Sequence, residues 1–587
     1  MASRCAREMP IRTARTEAIN RLLAHEDIFP ENALEDDAAT EVDDASNEVD
    51  DYHGESDENL DASDLEADNS SSEEDIGIDE TDDEALVSSS GLEWLQRSPI
   101  APQGRPPNRN QCNISRTGFA AALRPCSRKE AFLVIMQQFV DTAVVNTNTS
   151  LRRLSQNGKW RPTDEDEILA FLGLHLLAGV LKAHHRDLRE LWSERDGHVL
   201  FRATMSCERF LQLKKAFRFD DSRRRDRSDK LAPIRHVVDE FNMALKSLYT
   251  PGPYLCVDEM LVEYHGRVQF RQYMPAKPGK FGIKIYWCVD AETTMPLKCL
   301  VYIGKGTLSE NEARPFAHAI VIELVRDYLD RGRNITGDNF FTSGGLICEL
   351  LQRNTTYVGT VRQNNRDLPP KSKCLAGRVR GDSRHFYSES MTLCSFWDKR
   401  QRPVMLFSSM HIGPQTNTND REAGKPEMVV TYNQSKGGVD NLDKLVRGYS
   451  SKRKCRRWPY SVALVLVDVA VICAHKMMVS QSGCDDNHYI FKRELAFELC
   501  QRLMERRVRS PRLRESTRKA LTQLDVHAPP SVCPVSATHA CVKAAKPGRC
   551  SLCPRASDTK TRQLCWQCQK HVCWKHQHVF CDVCYRV

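Results

Sequence analysis

Apolar residues follow three different rhythms along this chain, and each rhythm predicts its own kind of element. From about residue 115 to 250 they recur at spacings of three and four, the period of a helix with a buried face. Glu165 to Leu181 is the clearest such window, with acids in its first turn and Thr163 as the candidate N-cap. Met205 to Phe217 and Val237 to Leu248 repeat the pattern, with the basic loop SRRRDRSDK between them. Pro251, Gly252 and Pro253 then break it. Beyond them, runs rich in β-branched and aromatic residues at Tyr254 to Tyr264, Ile283 to Asp290 and Leu297 to Ile303 predict three consecutive strands, with turns at His265-Gly266 and Ala291 to Thr294. A helix from Arg314 to Asp330 is expected next, ending near Gly332. It is followed by a short strand from Asn334 to Thr336 running into Asp338, a helix capped by Thr342 or Ser343 and reaching Arg353, and a strand from Tyr357 to Val361. Residues 366–427 mix strand-like pieces (MTLCSFW, PVMLFSSM) with polar loops and read as an inserted subdomain. Helical spacing returns at Gly438 to Val446 and at Pro459 to Val479, and no internal repeat is evident.

Before residue 90 the rhythm is missing. Residues 26 to about 90 lack the apolar density that offsets ordering entropy and are expected to be disordered, followed by the Pro-rich hinge SPIAPQGRPPNRN. Charge sharpens the division. Between Arg21 and Arg97 there are 28 acidic residues and no Lys or Arg, so the net +6 of the whole chain conceals a body, residues 97–587, with 79 basic and 48 acidic residues. A body near +31 joined to an anionic tail points to a polyanionic partner, nucleic acid ahead of a membrane surface. Ser70, Ser71 and Ser72, followed by three acids, suit an acid-directed kinase.

The 587 residues exceed what one hydrophobic core serves, which predicts several domains. Residues 1–21 are Arg-rich without an apolar core, so no secretory signal is expected. The most apolar run, Val462 to Cys473, contains Asp468 and falls short of the roughly 20 residues that span a bilayer. The chain therefore reads as soluble and intracellular, with no membrane partner.

Three acidic positions stand where this order of elements would converge them. Asp258 lies inside an apolar strand, where a carboxylate is costly unless paired or metal-bound. Asp338 ends a strand, and Asp440 and Asp443 are three apart on one helix face. Taken singly, Asp338 reads as a cap and Asp440 as an acid favoured by a helix dipole. Taken together, a strand Asp, a strand-end Asp and a helix Asp pair resemble a ribonuclease-H-like nuclease, which gathers carboxylates around two Mg²⁺ or Mn²⁺ ions for in-line phosphoryl transfer.

At these residues the sequence reaches a family. RNITGDNFFTS, YNQSKGGVDNLDKL, VDEMLVEYHGR, YMPAKPGKFGIKIY and GTVRQN closely resemble segments of the piggyBac transposases and the piggyBac-derived proteins of vertebrate genomes, over about residue 115 to the C-terminus. The resemblance implies a metal-dependent DNA transposase that cleaves transposon ends through a hairpin intermediate, integrates at TTAA and excises seamlessly. It places the catalytic, metal-binding aspartates on Asp258, Asp338 and Asp440, with Asp443 in support. It also implies a nuclear homodimer acting on double-stranded DNA. Arg362 matches an arginine expected near DNA, while Asn365 replaces the family's second basic residue. Trp458 matches a tryptophan close to the active site; beside Arg453, Lys454, Arg456 and Arg457 it suits stacking on an unpaired base, and a hydrophobic staple is the plainer reading. A domesticated DNA- or chromatin-binding protein without catalysis is the alternative class, and a ubiquitin ligase a third.

The C-terminus carries a pattern that needs no family. Cys550-x2-Cys553, Cys565-x2-Cys568, Cys573-x2-His576 and Cys581-x2-Cys584 supply ligands for two tetrahedral zinc ions. A cross-brace is expected, with the first and third pairs on one ion and the second and fourth on the other; His571 and His578 are spare ligands. Together these readings give an α/β multidomain chain: a disordered acidic region (1–110), a helical dimerisation and DNA-binding domain in two parts (111–253 and 447–525), a ribonuclease-H-like catalytic domain (254–365 and 428–446) interrupted by the insertion (366–427), a linker (526–545) and a zinc-binding domain (546–587).

Overall fold

The computed structural model describes residues 85–98, 116–121, 123–154, 161–275, 277–304, 306–308, 314–374, 377–397, 403–416, 424–510, 513–526, 543–564 and 570–573. They divide into a larger unit, within residues 1–187 and 208–499, and a smaller one, within 188–207 and 500–587.

A nine-stranded sheet organises the larger unit. Its strands are β1 (Tyr254–Glu263), β2 (Gln272–Tyr273), β3 (Phe281–Asp290), β4 (Met295–Val301), β5 (Asn334–Gly337), β6 (Thr356–Val361), β7 (Ser383–Tyr387), β8 (Thr392–Trp397) and β9 (Pro403–Ser408). The spatial order is β7-β8-β9-β6-β5-β1-β3, with β2 and β4 both pairing with β3. β1, β5 and β6 run parallel, and the other pairs are antiparallel. The parallel steps need long crossovers, and these are supplied by helices α5 (Phe316–Val325) before β5 and α6 (Gly344–Gln352) before β6. The cap of α6 is Ser343, whose hydroxyl accepts from the Leu346 N–H at 3.3 Å.

Two expectations change here. Within residues 366–427, read as an inserted subdomain, the strands from 383 to 408 lengthen the central sheet, because β9 pairs along β6 from Val358 to Val361. Residues 85–98, placed within the disordered region, form a hairpin whose Trp94 is fully buried, stacks on Phe407 and donates its indole N–H to the Asp367 carbonyl at 2.9 Å. One large aromatic with a partner for its polar atom suffices to anchor a stretch that composition marks as too polar to fold.

Before the sheet come α1 (Arg128–Leu154), α2 (Glu165–Val180), α3 (Cys207–Ala216) and α4 (Arg235–Leu248); after it come α7 (Glu427–Ser435), α8 (Gly438–Gly448), α9 (Trp458–Ser482) and α10 (His488–Val508). α1 packs against α2, α4 and α9, and α4 packs against β4. The N-cap of α2 is Asp164, one residue later than expected, with its carboxylate accepting from the Glu167 N–H at 3.0 Å. Fourteen of the sixteen residues of α2 are buried, as a helix apolar on all sides must be.

Helix α9 is, among the described residues, the one helix long and apolar enough to cross a membrane. Its residues Tyr460 to Ala474 are buried in this unit, and it extends well past the apolar run legible in the sequence. Asp468 within it accepts from the Ser451 N–H at 2.8 Å and pairs with Lys492 at 2.7 Å, which makes α9 a core helix with a satisfied buried charge.

In the smaller unit a helix at Val199–Thr204 packs on one at Glu515–Gln523, and strands Lys543–Arg549 and Lys560–Gln563 pair antiparallel.

Candidate active site

Local geometry brings the acids together in steps. Val257 of β1 pairs with Gly337, the last residue of β5, so Asp258 follows on β1 and Asp338 just past the end of β5, near enough for the charge of Asp338 to act on Asp258. Cys256 shares a face of β1 with Asp258, because side chains alternate along a strand. α8 packs on β1 and begins directly over Cys256: a Cβ added at Gly438 would lie 2.8 Å from the Cys256 Cβ. The Cys256 thiol donates to the Lys436 carbonyl at 3.2 Å, and its burial raises its pKa to about 12. Glycine at 438 thus permits the close approach of α8, whose first turn carries Asp440, and the charges of Asp258 and Asp440 both act on the Cys256 thiol.

The electrostatics reflect this convergence. Asp258 is pushed up to about 8, first by burial and then by the charges of Glu259 and Asp338. Asp338 is pushed up to about 6 by burial and Glu259, against hydrogen bonds from the Phe340 and Phe341 backbones and the charge of Arg362. Burial also raises Asp443, opposed by Arg447, with which it forms an i,i+4 pair at 2.9 Å. Carboxylates held at such pKa values lack sufficient positive charge nearby. All their donors are hard oxygens, the ligands that Mg²⁺ and Mn²⁺ take. The oxygen donors of Asp258 and Asp338 suit a divalent cation, and Asp440 in the first turn of α8 is the further carboxylate that could join them. Among the described residues the carboxylates are not drawn into a group as tight as the thiols described below.

Two residues of this neighbourhood escaped the sequence reading. Glu259 acts on both Asp258 and Asp338; its place directly after Asp258 was the available signal. Lys277 donates to the Glu259 carbonyl at 3.3 Å and stands 4.0 Å from an Asp440 carboxylate oxygen. Nothing in its run of Lys, Pro and Gly marks it as reaching the acids.

Arg362 lies beside the site, its Nε 3.4 Å from the Asn339 side-chain oxygen. Trp458 opens α9 and meets Phe270 edge to face, ring centroids 5.1 Å apart, a contact outside its own helix. The basic run divides. Arg453 donates to the carbonyls of Ala183 and Arg186, and Arg457 to those of Lys214, Lys215 and Phe217 at the end of α3, where a cation complements the helix dipole. Lys454 and Arg456 are exposed.

In the smaller unit the thiols of Cys550, Cys553 and Cys573 lie within 4.8 Å of one another. The Cys573 N–H donates to the Cys550 sulfur at 3.3 Å, and the Cys553 and Cys573 sulfurs are 3.6 Å apart. Three convergent soft donors fit zinc. His571 is turned elsewhere, its ring against Gly548 and 3.3 Å from the Lys546 carbonyl. Cys565, Cys568, His576, Cys581 and Cys584 lie outside the described residues, as do Ser70, Ser71, Ser72 and His578.

With the geometry in hand, comparison with known proteins gives one answer. Residues 131–475, more than half of the chain, match the transposase family described as Transposase IS4. The chain is 30% identical to a piggyBac transposase whose synaptic complex with hairpin DNA was solved by cryo-electron microscopy. That match has a TM-score of 0.66 and covers 80% of this chain and 100% of the other. It is 25% identical over 350 residues to human PiggyBac transposable element-derived protein 3, covering 56% of this chain and 58% of that protein. Against human PiggyBac transposable element-derived protein 2 the identity is 25% over 360 residues, covering 57% of this chain and 60% of that one. The chain thus matches about three fifths of the length of these curated relatives. It belongs to the transposase family, and within it to the piggyBac type.

Proposed function

We propose that this protein is a DNA transposase that cuts and rejoins DNA at TTAA through a hairpin intermediate, by phosphoryl transfer at a two-metal site of Asp258, Asp338 and Asp440. The observation carrying the proposal is that the half-buried carboxylates of Asp258 on β1 and Asp338 just past the end of β5 are both pushed well above the usual carboxylate range, while α8, with the exposed Asp440 in its first turn, packs on β1. A ribonuclease-H-like reading of the catalytic domain is supported by the order β4-β3-β1-β5-β6, with β5 and β6 parallel to β1. DNA as the partner is supported by the likeness to a transposase captured in a synaptic complex with hairpin DNA. Bound divalent ions would activate the attacking oxygen and stabilise the leaving one. The chain's own part is to hold those ions on Asp258, Asp338 and Asp440, to orient Asp338 through the Phe340 N–H, and to steady Asp443 against Arg447.

On this reading the working form is a nuclear homodimer bridging two DNA ends, the C-terminal thiols hold two zinc ions in a cross-brace, and the Ser70–Ser72 cluster is a kinase substrate. The second reading, a domesticated DNA-binding protein without catalysis, draws on the element-derived relatives. The test is nicking and hairpin formation on a duplex ending in TTAA, carrying the correct terminal repeat, with Mg²⁺. Asp258→Asn, Asp338→Asn and Asp440→Asn should each abolish cleavage, nearly as completely as the triple change, while DNA affinity, which comes mainly from the basic body, persists. Asp443→Asn should be milder. Cleavage surviving in one of the three removes that residue from the site; wild-type protein that binds the right end and never cuts favours the domesticated reading.

A further inference from the structure

The loop between β2 and β3 holds an ammonium against the acid site. Main-chain hydrogen bonds hold its described residues, among them Lys277 N–H to the Met274 carbonyl at 3.0 Å, Lys280 N–H to the Lys277 carbonyl at 3.0 Å, and Met274 N–H to the Lys280 carbonyl at 2.6 Å. From this turn the half-buried Lys277 side chain reaches across to β1 and α8 at once. Its Nζ donates to the Glu259 carbonyl at 3.3 Å and stands 4.0 Å from Asp440 Oδ1, and its charge also acts on Asp258 and Asp443. A lysine ammonium has three donors, and the carbonyl takes one. The separation from Asp440 is that of a charge neighbour, longer than the roughly 2.7–2.9 Å of a charge-assisted hydrogen bond. Asp440 is itself 56% exposed, so this edge of the pair opens to solvent.

We propose that Lys277 is a positioning residue with two successive partners: counter-charge to the Asp440 side of the acid set before cations bind, and anchor for a phosphodiester of the DNA strand once they have bound. The inference rests on the transposase reading of the same site. The physical argument is one of exchange. A carboxylate engaged by a divalent cation has less use for an ammonium, and that ammonium, now repelled by the cations, is left beside the place where an anionic phosphate must sit. A fixed-charge role of this kind makes opposite predictions for cation binding and DNA binding. Scaffolding alone would weaken both.

The experiment uses the full chain with Lys277→Met and Lys277→Arg, both checked by thermal melting. Titration calorimetry with Mn²⁺ alone should show binding about tenfold tighter in Lys277→Met, because a competing positive charge is gone. Affinity for a duplex ending in TTAA, measured in Ca²⁺, should fall about tenfold in the same variant and return most of the way in Lys277→Arg. Replacing the contacted phosphate by a neutral methylphosphonate should lower wild-type affinity to the Lys277→Met value and leave that variant unchanged. Mn²⁺ affinity that falls together with DNA affinity, or an Lys277→Met protein equal to wild type in both, overturns the proposal. These are binding readouts, so they remain decisive if the wild-type protein fails to cleave, the result that would sink the transposase reading instead.

Discussion

Gly438 meets Cys256 where α8 comes down on β1, and the contact shows how one missing side chain positions another residue's charge. A Cβ at 438 would sit 2.8 Å from the Cys256 Cβ, closer than packed atoms tolerate, and 3.4 Å from the Ala291 Cα. Gly438→Ala should therefore displace the first turn of α8, costing about 1–3 kcal/mol of stability by overpacking. It should also lower cleavage far more than DNA binding, because Asp440 rides on that turn. Urea unfolding beside a cleavage assay checks both; unchanged stability would mean that the helix can shift without cost. At this scale the acids were legible because a carboxylate in an apolar strand is conspicuous. Lys277 and Gly438 were not, since each matters only for a neighbour distant in sequence.

Single elements depend on buried charge in the same way. Asp468 and Lys492 are both about 1% exposed and lie 2.7 Å apart, joining α9 to α10, and Lys492 also donates to the Tyr449 carbonyl while Asp468 holds Ser451. Lys492→Met leaves Asp468 buried without its counter-charge and should cost about 3–5 kcal/mol, whereas Asp468→Leu combined with Lys492→Met should cost less than that single change. Denaturant titrations of the three proteins decide; a double mutant worse than the single would mean that the tie to Ser451 dominates. The C-terminal element makes a separate prediction. Since Cys550, Cys553 and Cys573 already converge, metal analysis of the intact protein should find two zinc ions per chain, and chelation should unfold this segment. One zinc would discard the cross-brace.

For the whole molecule, acid stability turns on buried imidazoles. His175 is buried beside the Tyr460 hydroxyl at 2.6 Å and pulled down to about 3, chiefly by burial. Burial likewise pulls His411 down to about 4. Both stay neutral in the fold while the unfolded chain takes up protons below the ordinary value of 6.5. Each therefore costs about 1.4 kcal/mol of stability per pH unit as pH falls from about 6.5 towards its folded value. Asp258 and Asp338, with raised folded values, contribute in the opposite sense below about 8 and 6. The histidine contribution is consequently read as a difference. His175→Gln, which keeps a partner for Tyr460, should gain on wild type by about 1.4 kcal/mol per unit between about pH 6 and 5. Parallel pH profiles for the two proteins would show that His175 protonates in the fold.

The sequence by itself determined the local order of helices and strands through the parallel core, and it singled out four candidate aspartates and the paired cysteines. Each is written in a repeat, a short spacing or a residue out of keeping with its surroundings. Tertiary structure alone decided that strands 383–408 extend the central sheet, that Trp94 recruits its hairpin to that fold, and that Arg453 and Arg457 turn inward to carbonyls while Lys454 and Arg456 face solvent. It alone placed Lys277 among the acids. The reason is common to all four: an edge strand, an aromatic, a guanidinium and an ammonium each find their partner across tens or hundreds of residues of sequence. The partner, not the residue, sets the outcome.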